Sequence, residues 1–184
     1  MLPLERFPER QSILAKAWKR LIYPGWEGYI SLTERPGLIS KLNFVNPLFV
    51  VHPGFANYFP DDDRVPDNDD KYLAYLDRLR HKIQQTLEAG RTVVVLTPSK
   101  YKKETLSTIR KSIEVMLLPT LDGGVAPDYR LMGYNTHQFS ELLSENVREA
   151  EICGEYSGRC VYRFEIANPN IKFRRVEDCI YPRR

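Results

Sequence analysis

Apolar residues alternate along this chain between short unbroken runs and stripes at helical spacing. Near the start, Ile13, Leu14, Ala17, Trp18 and Leu21 form one stripe within Glu9 to Ile22, with Pro8 suited to a first turn and Tyr23-Pro24-Gly25 ending it. Gly28 to Asn46 has scattered apolar residues interrupted by Pro36-Gly37, and reads as an arm or cover over the core. Leu48-Phe49-Val50-Val51 is a continuous run, the pattern of a strand buried on both faces, and it ends at His52-Pro53-Gly54. Tyr72, Leu76, Leu79, Ile83 and Leu87 then mark a helix opening near Asp69 or Asp70 and closing at Gly90. Thr92 to Thr97 is a second buried strand, and after Pro98 a second core helix carries Leu106, Ile109, Ile113, Met116 and Leu117.

Further on, Gly123-Gly124, Pro127 and Gly133 make Pro119 to Asn135 mostly loop, with Tyr129 to Met132 the one place for a short strand. Thr136 is a candidate N-cap for a helix that turns Phe139, Leu142, Leu143 and Val147 inward. Ala150 to Glu155 reads as a strand, and a turn at Ser157-Gly158 leads to a helix burying Cys160, Val161 and Phe164. Ile171 to Val176 closes the set as a more polar strand suited to an edge. This alternation predicts a three-layer α/β/α domain with a mostly parallel, Rossmann-like central sheet. Residues 47–184 form that core, and residues 1–46 form an amino-terminal helical arm packed on it.

Composition narrows the classes. At 184 residues, with 42% apolar and 28% charged residues, the chain is neither disordered nor fibrous. The longest apolar run, Tyr72 to Leu76, is far short of the roughly 18 residues of a membrane span, so a soluble protein without a membrane is expected. Glu5, Arg6, Glu9 and Arg10 break up any secretory leader. Cys153, Cys160 and Cys179 leave an odd thiol and no paired zinc-type spacing, which fits a reducing cytoplasm and no metal. The net charge of +3 gives no mandate for nucleic acid, and with neither a P-loop nor a glycine-rich dinucleotide turn, no cofactor is expected.

In a parallel sheet, ligands meet the loops that leave the carboxyl ends of the strands. Those loops hold His52 and Asn57, Thr97 and Lys100, Glu155, Tyr156 and Ser157, and Asp178. Cys160 stands at a helix start, where the helix dipole and unpaired N–H groups favour a thiolate, although a cysteine beside Val161 and Phe164 equally serves as packing. His52 is either a proton acceptor for that thiol or a residue that orders the loop before Pro53-Gly54. Asp61 to Asp70 holds six aspartates but lacks the glycine and glutamate of an EF-hand, and reads as a helix cap with solvated neighbours. Lys100, Lys102, Lys103, Arg110 and Lys111 form a basic cluster where a phosphate could dock, or a solvated helix face. His81 and His137 have no ligand-like spacing.

The segment from Glu141 to Pro182 resembles the closing half of isochorismatase-like cysteine hydrolases, whose pattern is helix, strand, Gly-x-x-[ST]-x-x-Cys-Val, helix, strand, Asp. Gly154, Ser157, Cys160-Val161 and Asp178 stand at those positions. The resemblance implies a nucleophilic Cys160 attacking an amide-like or ester-like carbon. It departs from the family at two places: His52 stands where a strand-end aspartate belongs, and no lysine lies between Leu117 and Gln138, where Arg130 is the one cation.

Two readings follow. In the first, a hydrolase-like protein acts on a small polar molecule through Cys160, with His52 as base, Asp178 orienting the site, and Thr97, Lys100, Glu155, Ser157 and Arg159 binding substrate. The backbone N–H groups of Arg159 and Cys160 would then form the oxyanion hole. In the second, a binding or scaffolding protein keeps the fold without the chemistry, and the amino-terminal arm, with Trp18 and Trp26, contributes to a homo-oligomer.

Overall fold

A computed structural model describes residues 29–31, 45–55, 70–109, 115–121, 124–126, 128 and 136–181. Six strands form one sheet: β1 (Tyr29–Ser31), β2 (Leu48–Val51), β3 (Val93–Pro98), β4 (Val115–Thr120), β5 (Glu149–Glu155) and β6 (Lys172–Tyr181). Their order is β1-β4-β3-β2-β5-β6, and every neighbouring pair is parallel. The helices are α1 (Asp70–Glu88), α2 (Lys102–Ile109), α3 (Thr136–Asn146) and α4 (Tyr162–Ala167). This is the three-layer α/β/α arrangement that the alternating pattern predicts.

The continuous apolar runs become strands because covering helices bury both faces. Every side chain of β2 and β3 is buried. In α1 the inward stripe is Tyr72, Tyr75, Leu76, Leu79 and Ile83. Gly90, at φ 70°, closes that helix by turning its N–H to the Leu87 carbonyl at 2.9 Å. Right-handed crossovers from β2 to β3 and from β3 to β4 put α1 and α2 on one face; the chain then returns across the sheet, so α3 and α4 cover the other. Contacts agree with this layering: Lys82 of α1 reaches Glu151 of β5, and Ser140 of α3 donates to the Ala167 carbonyl that ends α4.

Three sequence expectations change. Met116 and Leu117, expected on a helix, lie in β4, and α2 already ends at Ile109. The run Val115 to Leu118 satisfies a helical stripe and a buried strand equally well, and pairing with both β1 and β3 decides for the strand. The last strand extends to Tyr181 instead of ending at Val176, so Asp178 lies inside β6 and not beyond it. Within the expected arm, Tyr29–Ser31 is the strand next to β4. The Glu9 to Ile22 stripe, the Tyr129 to Met132 segment, Asn57 and Asp61 to Asp69 lie outside the described residues. No helix among the described residues is long and apolar enough to cross a membrane.

Candidate functional site

Strand order reverses direction between β2 and β5, so the loops leaving these two strands part to opposite faces at their carboxyl ends, the place where parallel sheets form a ligand crevice. Two non-glycine residues in left-handed backbone conformation mark it: His52 at φ 49°, just after β2, and Tyr156 at φ 63°, just after β5. Such conformations are sparsely populated and collect at functional positions. The two strands approach closely here. Gly154, at φ 126°, lies against the Val51 backbone so tightly that any Cβ would overlap the Val51 carbonyl.

The His52 side chain is fully buried. Its Nε2 lies 3.1 Å from Thr120 Oγ1 at the end of β4, and its Nδ1 has no hydrogen-bond partner. Phe55 stacks on the imidazole with ring centroids 5.6 Å apart, and Tyr156 meets Phe55 edge-on at 5.1 Å. Burial lowers the His52 pKa from 6.5 to about 4, so the ring is neutral near pH 7.

Beside it, the buried Glu155 carboxylate ties the two loops together. Its Oε1 accepts the Gly54 N–H at 2.6 Å and the Tyr72 hydroxyl at 2.9 Å. Burial, with the Glu155 charge second, pushes the Tyr75 phenol well above its ordinary value, and its hydroxyl has no partner. On the β3 and β4 side, Ser99 donates to the buried Asp128 carboxylate at 2.6 Å, and the hydroxyls of Thr97 and Thr105 lie 2.7 Å apart. The carboxyl ends of β2, β3, β4 and β5 therefore carry a band of buried polar groups: His52, Thr97, Thr120 and Glu155.

Cys160 is half-buried within the π-type turn Ser157–Val161 that leads into α4. His52 makes no hydrogen bond to it, because Nε2 bonds Thr120 and Nδ1 bonds nothing. Of the two expected oxyanion donors, the Arg159 N–H is already used by the Tyr156 carbonyl at 3.0 Å. The Arg159 side chain is exposed. Lys100 is exposed too, with its Nζ 5.0 Å from the Tyr101 ring centroid. Asp178 is an exposed residue of the edge strand, where its carbonyl accepts Arg78 Nε at 2.8 Å. The Ser157 side chain and Arg130 lie outside the described residues. Among the described residues, no group of three or more His, Cys, Asp or Glu side chains could hold a metal ion.

The structure thus gathers His52, Thr97 and Glu155 at the sheet's carboxyl end, and leaves Lys100 and Asp178 at the surface. Sequence reasoning missed Thr120, Tyr72, Ser99 and Asp128. One signal would have found Thr120: like His52 and Thr97, it is the polar residue that closes an apolar run, but its run was assigned to a helix.

No family model matches the chain, and no curated protein matches it. Among solved structures it is similar to N-carbamoylsarcosine amidase from Thermoplasma acidophilum, with a TM-score of 0.51 and 17% identity over 76% of this chain and 86% of that one. That likeness shows the fold alone, a three-layer α/β/α domain shared with that amidase.

Proposed function

We propose that this protein uses an isochorismatase-like fold to bind a small polar molecule at the crevice over His52, without cysteine-dependent hydrolysis. The observation that carries this reading is the His52 ring, whose Nδ1 is buried and unpartnered while its Nε2 is spent on Thr120. A buried polar atom without a partner is costly, and a ligand group that displaces Phe55 from over the ring would satisfy it. The site lies where parallel sheets bind small molecules. A hydrolase of this type needs a base at the thiol, whereas His52 is bonded elsewhere and holds a proton weakly, with its pKa at about 4. The three cysteines, none of them in a disulfide, support a reducing, cytoplasmic setting.

A second reading, hydrolysis of an amide-like or ester-like substrate by Cys160, is favoured by the partial exposure of that thiol in the turn between β5 and α4 and by the amidase activity named for the similar structure. Two assays separate the readings. N-carbamoyl amino acids and simple amides, screened by thermal shift, should include compounds that stabilise the wild-type protein and fail to stabilise His52→Phe. Hydrolysis of p-nitrophenyl acetate should be the same for wild type and Cys160→Ala. An acyl-enzyme burst that disappears with Cys160→Ala would establish the second reading instead.

A further inference from the structure

Away from the His52 crevice, α1 and α2 enclose an open groove of about 440 Å³ lined by Leu76, Arg80, Lys103, Glu104, Ser107 and Thr108. That volume is within the usual range for small-molecule sites, roughly 300–1,000 Å³. Leu76 and Arg80 are four residues apart on α1, and Lys103 and Ser107 four apart on α2, so each helix turns one continuous face into the groove. Arg80 is held in place: Nε donates to the Thr108 carbonyl at 2.8 Å, and Nη1 to Asp77 at 3.1 Å. Among the described residues its Nη2 has no partner. Among the described residues, the Lys103 ammonium, the Ser107 hydroxyl and the Glu104 carboxylate have no hydrogen-bond or ion-pair partner.

We propose that this groove binds a small molecule through an oxyanion group, phosphate or carboxylate, held by Arg80 Nη2, Lys103 Nζ and Ser107 Oγ. A guanidinium fixed by two bonds loses little freedom when it takes an anion, and a charge-assisted hydrogen bond is about twice as strong as a neutral one. Leu76 supplies the apolar wall. Glu104 opposes the bound charge, so ligands carrying a hydroxyl or ammonium group near the oxyanion are accepted best. The basic cluster starting at Lys100 thus gains a role through one member, Lys103, that faces a cavity. The groove also touches the crevice loop, since Thr108 packs against Gly54 with no room for a Cβ.

The test uses the full chain and inorganic phosphate at constant ionic strength, balanced with chloride, following the amide resonances of Ser107 and Thr108. Saturable shifts are expected, weakened about tenfold by Lys103→Gln, the equivalent of one exposed charge-assisted bond. Among the described residues Lys103 has no partner to lose, so its replacement leaves the fold intact. Glu104→Gln should tighten phosphate binding, a gain that damage to the fold would not produce. Acetate in place of phosphate tells whether the site favours a carboxylate. Shifts that chloride reproduces, or that neither substitution alters, would overturn the proposal.

Discussion

Glu151 provides a direct test of how the sheet is held together at the end away from the crevice. Its carboxylate lies in β5, and the side chain is only 3% exposed. Lys82 Nζ reaches it at 2.9 Å and Arg91 Nη2 at 2.7 Å, while Arg174 bonds its other oxygen, so one buried anion joins α1, the loop before β3, β5 and β6. Burial alone would raise the Glu151 pKa, but the hydrogen bonds from Lys82 and Arg91 outweigh it and hold the carboxyl below its ordinary 4.5. Removing one partner of a fully buried pair costs about 3–5 kcal/mol. Here Lys82 and Arg91 keep 21% and 23% of their side-chain surface and Arg174 keeps 72%, so water screens part of that loss. Glu151→Gln, which keeps the shape and removes the charge, is expected to cost about 2–3 kcal/mol. In a chain of this size that lowers Tm by roughly 4–12 °C. The assay is urea unfolding beside Glu149→Gln, whose pair with Lys172 leaves 64% and 80% of the two side chains exposed and should change stability by less than about 0.5 kcal/mol. Because the folded pKa is depressed, the Glu151 contribution is complete above pH 4.5 and fades as pH falls through the folded value. A Glu151→Gln variant as stable as Glu149→Gln, or a gap that persists in acid, would refute this reasoning.

Gly154→Ala should be destabilising by about 3 kcal/mol or more, through left-handed strain and overlap with the Val51 carbonyl. Gly158→Ala, with no atom within 4 Å of its Cβ, should leave urea unfolding within about 0.5 kcal/mol of wild type. His52 supplies an opposite pH signature to a raised base. Its folded pKa is lowered to about 4 from 6.5, so stability is complete above pH 6.5 and falls by about 1.4 kcal/mol per unit towards pH 4, about 3 kcal/mol in all. His52→Gln should remove that slope from acid-unfolding curves. Phe55→Ala should uncover the imidazole, raising its pKa and its reactivity towards diethyl pyrocarbonate; an unchanged reactivity would mean that Phe55 does not cover it.

Much of the fold was legible because burial on both faces leaves an unambiguous trace: Leu48 to Val51 and Val93 to Leu96 have no other stable place than a central parallel strand. β4 was not legible, since Val115 to Leu118 continues the spacing set by Leu106 and Ile109, and only its neighbours decide between helix and strand. β1 spans three residues, too few for any period to show. The site was legible as a location, because strand ends after apolar runs are readable, and His52, Thr97 and Glu155 do stand there. Its wiring was not. Whether an imidazole faces a thiol or a threonine hydroxyl depends on side-chain direction across strands 68 residues apart, as between His52 and Thr120. Nor does sequence reveal that Glu155 spends its oxygen on Gly54 and Tyr72, or that Glu151 collects three cations.

The separation of His52 from Cys160 is tested most directly by titrating the His52 ring nitrogens by NMR in wild type and Cys160→Ala. The expected result is a midpoint at about pH 4 in both proteins, set by burial beside Thr120. A midpoint near or above 6.5 that falls when the thiol is removed would reveal an imidazolium paired with a thiolate, and would contradict the binding role assigned to this crevice.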